Sequence, residues 1–443
     1  MKRLGLVSVH TCPLAALGGK ETGGMNVYVR ETARHLGRLG FEVDVFTRSQ
    51  DPSVPKVVAL GEGARVIHVE AGPQRPMSAA TMAAHLDAFA DGVVDFRHRS
   101  GADYALLHGH YWLSGVVAIE LARRWGGTPV VQMFHTLGVV NSALADGSTE
   151  RASRARVDAE SRIAALADRV VAATSLEQAD LAWYCGADVD RVRVVPCGVD
   201  VELFGPGDTS AARARLGLDA DWVLLFVGRT TPIKGLESLL HALARLKFEP
   251  QDVAGLGPRR PRREILKFEP QDLRQARVRL VIVGGDRDER RDDGRRRLRA
   301  VAARLGIGDW LDFRGPQPQT VLPDYYRASD LCLVPSHHES FGMAALEAMA
   351  CGTTVVASRV GGLATTIQDG VTGVLVPPRD DVALASAIAS LLGDDARRAT
   401  LGRQAARWAQ SFAWPSVTRM LLDVYGELVP DLHEAPAAPG SGW

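Results

Sequence analysis

Two glutamates eight residues apart, Glu339 and Glu347, bracket the segment Ser340-Phe341-Gly342-Met343-Ala344-Ala345-Leu346. The first precedes a glycine-containing turn. The second falls inside the helix that Ala344, Ala345, Leu346, Ala348, Met349 and Ala350 favour and that Cys351-Gly352 stops. The start of such a helix offers unpaired N–H groups and the positive end of a dipole, a seat for a pyrophosphate. Glu347 is then placed to hold ribose hydroxyls, and Glu339 to face whatever the pyrophosphate carries. Two solvated glutamates on an amphipathic helix are the competing reading of this spacing taken alone.

Other groups change that balance. In Phe226-Val227-Gly228-Arg229-Thr230-Thr231-Pro232-Ile233-Lys234-Gly235, Arg229 and Lys234 lie on one loop, five residues apart. Two fixed cations there can hold a diphosphate and neutralise the charge it gains as a leaving group; a wet basic loop is the alternative. Four histidines, His10, His108, His110 and His135, fall at expected carboxyl ends of strands, where parallel sheets place ligands. A metal at His108 and His110 lacks an obvious third ligand. Hydrogen bonding to a polyhydroxylated ligand fits better, with core histidines as the alternative for each singly. The turn Gly18-Gly19-Lys20-Glu21-Thr22-Gly23-Gly24-Met25-Asn26 lets backbone approach a ligand closely. It is neither G-x-G-x-x-G nor a phosphate-binding G-K-[ST] loop, which disfavours a dinucleotide oxidoreductase or an NTPase here.

These residues need strands and helices to hold them. Short apolar runs at 4–9, 42–47, 64–69, 105–108, 129–134, 169–173 and 191–195 alternate with helical patterns at 26–39, 114–125 and 175–184. This is the βαβ signature of a parallel sheet covered on both faces. After turn-rich stretches around residue 200 it restarts, with strands expected at 222–227, 278–283, 311–314, 331–335, 354–357 and 373–376. The expected fold is α/β with two Rossmann-like domains, residues 1–198 and 199–411, whose parallel sheets face a central cleft. A last helix at about 412–428 crosses back to the first domain, and 430–443, rich in Pro, Ala and Gly, reads as a disordered tail.

The 443 residues suffice for two cores, and the 46% apolar content contains no run long enough to span a bilayer. The N-terminal apolar run is too short for a signal core, so the expectation is a cytoplasmic protein without an integral membrane segment. Basic and acidic residues balance at 52 each, which argues against a nucleic-acid partner. Five scattered cysteines give neither a disulfide framework nor a zinc site. One segment stands apart: Leu246-Lys247-Phe248-Glu249-Pro250-Gln251-Asp252 recurs as Leu266-Lys267-Phe268-Glu269-Pro270-Gln271-Asp272. A repeat present only twice is no solenoid. It reads as an insertion in a surface loop at 247–272, with a docking site as the alternative. The charge run 287–299 reads as a solvated loop and helix face.

Taken together and in order, G-G-M-N, F-x-G-R-x-x-P-x-K-G and E-S-F-G-x-x-x-x-E resemble the retaining glycosyltransferases of family 4, which have the GT-B architecture. The resemblance runs from His10 to about Leu428. It implies that Arg229 and Lys234 bind the donor diphosphate, that Glu339 and His135 lie beside the donor sugar, and that Glu347 holds the ribose. His135, Arg229, Lys234 and Glu339 are thus the implied catalytic set, with Gly24 and the turn Ser340-Phe341-Gly342 also on the donor. Retention in such enzymes is described as front-face attack, with a donor phosphate oxygen helping to deprotonate the acceptor. No cofactor is then required, and Mg2+ is an optional addition.

Within the family, Ser8-Val9-His10-Thr11, His110-Tyr111-Trp112-Leu113-Ser114-Gly115, His135-Thr136-Leu137 and the placement of Arg154 after Glu150 are similar to a particular branch. Its members glycosylate inositol phosphate with N-acetylglucosamine in mycothiol synthesis. The implied acceptor contacts are His10, Asn26, Tyr111, Thr136 and Arg154, with Arg154 on the phosphate. One departure matters. Ala71-Gly72-Pro73-Gln74-Arg75-Pro76-Met77-Ser78 lacks the second phosphate-binding lysine of that branch, and Arg75 is the candidate substitute. Sucrose-phosphate synthase and sucrose synthase share the G-G and E-x7-E elements, so fructose 6-phosphate or fructose is the alternative acceptor. The implied partners are a UDP-sugar (N-acetylglucosamine or glucose) and a phosphorylated polyol or sugar, foremost 1D-myo-inositol 3-phosphate. A homodimer is compatible with these features. From other classes, a GT-B sugar-nucleotide epimerase and a non-catalytic sugar-nucleotide binder are the rivals.

Overall fold

A computed structural model describes residues 2–15, 23–143, 152–247, 276–285 and 292–433. Gly18, Gly19, Glu150, the duplicated segment from residue 248 to 272, the first residues of the charge run (287–291) and the tail beyond His433 lie outside the described residues. By contact the chain divides into two compact units. One holds Met1–Ala15, Glu21–Gly198 and Trp414–Trp443; the other holds Val199–Ala413.

In the first unit, apolar runs with no polar alternation become strands buried on both faces, as covered parallel sheets require. The strands of this unit are β1 (Arg3–Val7), β2 (Glu42–Arg48), β3 (Val57–Gly61), β4 (Ala64–Val69), β5 (Tyr104–His110), β6 (Val130–Met133), β7 (Arg169–Ala172) and β8 (Val192–Val194), all but the edge strands β3 and β8 being largely buried. Their order in the sheet is β3-β4-β2-β1-β5-β6-β7-β8. The helix Gly24–Arg38 buries Val27, Val29, Ala33 and Leu36, and the helix Trp112–Arg124 buries Leu113, Val117, Ala118 and Leu121.

One strand corrects the expectation of an all-parallel sheet. β3 pairs antiparallel with β4 at the sheet edge, and of its residues only Leu60 is buried. It is an exposed edge strand joined to its neighbour by a tight turn at Gly63 (φ 64°), although Val57-Val58-Ala59-Leu60 is a continuous apolar run. The chain's last helix, Trp414–Gly426, packs on this first unit. Trp414 meets Gly198, where an added Cβ would lie 2.4 Å from the indole, and Tyr425 reaches His108. Just past the helix, Glu427 pairs with Arg169 and Arg193 at 2.7 and 2.8 Å. A single 3-10 turn, Pro430–Leu432, follows with Leu432 fully buried, so ordered packing extends into the segment expected to be tail.

The second unit has β9 (Trp222–Val227), β10 (Val278–Val283), β11 (Leu311–Gly315), β12 (Leu331–Val334), β13 (Val355–Ser358) and β14 (Val374–Val376). They form a parallel sheet in the order β11-β10-β9-β12-β13-β14. Helices Leu236–Lys247 and Asp381–Leu392 cover it with Leu239, Leu240, Leu243, Leu384 and Ile388 in its core. Strand order reverses direction between β9 and β12 here, and between β1 and β5 in the first unit. Such switch points, at the carboxyl ends of strands, are where open α/β sheets bind ligands. Among the described residues, no helix is long and apolar enough to cross a membrane.

Candidate functional site

In the second unit the switch point brings distant residues together. β12 runs beside β9, with Leu331 opposite Leu224 and Cys332 opposite Leu225. The loops leaving the two strands therefore emerge side by side. The His337 amide donates to the Ile233 carbonyl at 2.8 Å, and Gly235 (φ 69°) lies so close that an added Cβ would sit 1.9 Å from the Pro335 carbonyl oxygen. This stitching delivers Lys234 to Glu339: Nζ donates to Oε2 at 2.6 Å. The pair keeps 19% and 18% of its side-chain surface exposed, accessible yet partly dried. The backbone of Glu339 is held from behind, because Gly362 donates to its carbonyl at 2.8 Å and a Cβ at Gly361 would lie 2.1 Å from that oxygen. Gly361 and Gly362 were not singled out from the sequence, although a Gly-Gly pair in a turn is a signal of close backbone approach.

Gly342 takes a left-handed conformation (φ 95°) and opens the helix Met343–Ala350 with no side-chain cap. The first N–H groups of that helix stay without an intrahelical partner, beside the half-exposed Ser340 and the buried Phe341. Glu347 lies in the helix and is 7% exposed. Its Oε2 accepts from the Tyr326 hydroxyl at 2.7 Å. Burial pushes its carboxyl up to about 7, against the opposing pull of hydrogen bonds from Tyr326 and Gln319. Arg229 is exposed on its loop, with no ion pair among the described residues. Tyr326 carries no sequence signal for this role.

The first unit carries the second constellation. His10 follows β1, Tyr111 follows β5 and His135 follows β6. The His10 and Tyr111 rings lie 4.3 Å apart. Tyr111 (φ 76°) and His135 (φ 62°) adopt left-handed backbone that non-glycine residues seldom take, a strain that clusters at functional sites. His135 Nε2 lies 3.1 Å from His110 Nδ1. Burial lowers His10 to about 4 and His135 to about 3, so both rings are neutral at pH 7.

Two of the expected acceptor contacts, Arg154 and Asn26, have surroundings unlike those of the rest. The side chain of Arg154 is 95% exposed and, among the described residues, reaches only Asp158, at 3.9 Å. Arg156, two positions on and 13% exposed, is the arginine that joins the others. Its Nη2 donates to the Thr136 carbonyl at 2.9 Å and to Thr136 Oγ1 at 3.2 Å, while its guanidinium stacks 4.9 Å from the Tyr111 ring centroid. A helix turns about 100° per residue, so a step of two moves a side chain to the far face. The signal available in the sequence was the i,i+4 pair Arg156–Glu160. Asn26 is 1% exposed and both ends of its amide are engaged: Oδ1 accepts from the Gly23 amide, and Nδ2 donates to Thr11 Oγ1 and the Cys12 carbonyl. It staples the loop after β1 to the helix start, just before the exposed Gly24. Arg75 is exposed, and its carbonyl is held by the buried Arg48 at 2.5 Å.

Both halves of the chain match known families: residues 22–203 the model of Glycosyltransferase Family 4, and residues 208–408 that of Glycosyl transferases group 1. The D-inositol 3-phosphate glycosyltransferase 2 of Catenulispora acidiphila is 41% identical over 436 residues, covering 98% of this chain and 96% of that protein. The D-inositol 3-phosphate glycosyltransferase of Geodermatophilus obscurus is 42% identical over 446 residues, covering 99% and 93%. Among solved structures, sucrose-phosphate synthase from Thermosynechococcus elongatus superposes with a TM-score of 0.84 at 35% identity, covering 97% of this chain and 100% of that one. HepE from Anabaena, solved with UDP and glucose, shares the fold at a TM-score of 0.71 and 21% identity, covering 96% and 100%. Two parallel-sheet units with residues gathered at their switch points thus define a GT-B glycosyltransferase. The chain belongs to glycosyltransferase family 4.

Proposed function

We propose that the protein is a retaining transferase that moves N-acetylglucosamine or glucose from a UDP-sugar to a phosphorylated polyol or sugar, foremost 1D-myo-inositol 3-phosphate. The observation that carries the phosphorylated acceptor is Arg156. It is a part-buried cation fixed against Thr136 and Tyr111 at the carboxyl edge of the first sheet, with Nη1 making no hydrogen bond among the described residues. The 41% identity to inositol 3-phosphate glycosyltransferases over nearly the whole chain supports the same acceptor.

On the donor side, Lys234, Arg229 and the start of the helix Met343–Ala350 supply positive charge for a diphosphate, so the proposed chemistry needs no metal. Glu339 is held by Lys234 and, more loosely, by Ser336 Oγ at 3.5 Å. A carboxylate so paired suits a hydrogen bond to a sugar hydroxyl better than nucleophilic attack, which supports retention without a covalent intermediate. A second reading, transfer of glucose to fructose 6-phosphate or fructose, is favoured by the absence of lysine after Gly72-Pro73 and by the likeness to sucrose-phosphate synthase. A UDP-release assay crossing UDP-N-acetylglucosamine and UDP-glucose with inositol 3-phosphate, fructose 6-phosphate and fructose separates them. Release dependent on inositol 3-phosphate is the expected result; release dependent only on a fructose acceptor overturns it.

Glu347 makes nucleoside binding depend on pH. Its folded value lies above the ordinary 4.5, at about 7, because burial penalises the charged form. Its contribution to the stability of the free protein is therefore full below 4.5 and is lost as pH rises through about 7. Ribose hydroxyls donate to the ionised carboxylate and favour that form. Uridine, which has no phosphate of its own to titrate, should bind several-fold tighter at about pH 8 than at about pH 6. Calorimetry on the Glu347→Gln variant should show this slope flattened.

A further inference from the structure

A chain of aromatic contacts runs from the C-terminal helix to His135. The Tyr425 hydroxyl lies 2.7 Å from His108 Nδ1. The His108 ring lies tilted by 38° against His110 with centroids 4.1 Å apart, and His110 Nδ1 meets His135 Nε2 at 3.1 Å. Tyr28 closes the group, edge-on to His110, His135 and Trp414 at 5.7, 5.2 and 5.6 Å. His108, His110 and Tyr425 are wholly buried. We propose that Tyr425 and the pair His108–His110 are positioning residues that set the ring orientation and the tautomer of His135. The inference rests on the reading that His135 faces the transferred sugar.

Burial holds His108 at about 3 and His110 well below its ordinary value, so all three rings are neutral and each carries one N–H. The Tyr425 hydroxyl has no other acceptor among the described residues, and it donates to His108 Nδ1, which leaves the His108 proton on Nε2. Nε2 of both His108 and His110 has no hydrogen-bond partner among the described residues. A proton on His110 Nε2 would bury a second unpaired N–H beside that of the neighbouring His108, at a cost. The His110 proton therefore sits on Nδ1 and is donated to His135 Nε2. His135 in turn carries its own proton on Nδ1, the ring nitrogen that the chain leaves available to donate. The strained backbone of His135 (φ 62°) persists because this packing fixes the ring.

Nitrogen-15 spectra of histidine-labelled full-length protein read the tautomer without any turnover. The His135 signal, identified by its loss in His135→Ala, should show the neutral Nδ1–H form. In Tyr425→Phe a share of the Nε2–H form should appear, and turnover should fall about 10- to 100-fold with the UDP-sugar KM unchanged. His110→Asn, which keeps an amide donor near Nδ1, should retain more transfer than His110→Leu and serves if Tyr425→Phe does not fold. An unchanged His135 tautomer in Tyr425→Phe, or equal losses in the two His110 variants, overturns the positioning role. Unchanged transfer in His135→Ala overturns instead the reading on which it rests, and the spectra tell the two failures apart.

Discussion

Replacing Lys234 by alanine is expected to lower the turnover of glycosyl transfer by about 10²- to 10³-fold, equivalent to about 2.7–4 kcal/mol of lost transition-state stabilisation. As the bond to the sugar breaks, negative charge gathers on the leaving diphosphate. Lys234 is a compact, fixed cation in a partly dried loop, and Glu339 at 2.6 Å keeps it oriented. A charge already in place costs no reorganisation at the moment of reaction. The loss should therefore fall on kcat rather than on UDP-sugar KM. Stability should change little, by about 1 kcal/mol, since both partners keep solvent access. Steady-state UDP release with inositol 3-phosphate, alongside a thermal melt, checks both statements. Turnover near wild type in Lys234→Ala would remove the assignment of this loop to the diphosphate.

Lys234 and Glu339 are separated by 105 residues, and their contact shows what a sequence conveys and what it withholds. The apolar runs that become β9 and β12 were legible because strands buried on both faces leave an uninterrupted pattern. That β12 lies beside β9 is a matter of sheet order, which periodicity does not encode; only the likeness of the motifs to a family placed the two side chains together. β3 was passed over although Val57-Val58-Ala59-Leu60 is a continuous apolar run, and its antiparallel place at the sheet edge is again a matter of sheet order. Tyr326 behind Glu347 and Tyr425 behind His108 escaped because a buried tyrosine in a helix looks like any core aromatic until its hydroxyl is located. Asn26 and Arg154 were assigned from motif position alone. Whether an amide is already occupied by its own loop, and which side of a helix a residue faces, are facts of three dimensions.

Arg156→Ala should lose affinity for a phosphorylated acceptor and also lower stability by about 3–5 kcal/mol, whereas Arg154→Ala should change stability by about 0.5 kcal/mol or less. Glu160 is the reason for the first figure. Its carboxylate has no solvent-exposed surface and, among the described residues, takes hydrogen bonds only from Arg156 Nε at 2.7 Å and from the Gly138 amide at 2.8 and 3.1 Å. Without the guanidinium, a buried charge keeps one amide as its partner. Burial already raises Glu160 above its ordinary 4.5, with Arg156 and the Gly138 amide pulling it down. Removing the arginine raises it further. A raised carboxyl contributes most below its unfolded value and loses that contribution as pH rises through the folded one. The melting temperature of Arg156→Ala should thus approach that of wild type as pH falls toward 4.5 and diverge from it at neutral pH. Because instability alone can weaken binding, Arg156→Ala/Glu160→Gln separates the two effects. The double variant removes the stranded charge and should recover much of the stability. It should still fail to distinguish inositol 3-phosphate from inositol, while uridine affinity, which the proposed function assigns to the second unit, holds. If the recovered protein kept its preference for the phosphorylated acceptor, Arg156 would be a fastener for Glu160 and not the acceptor's cation.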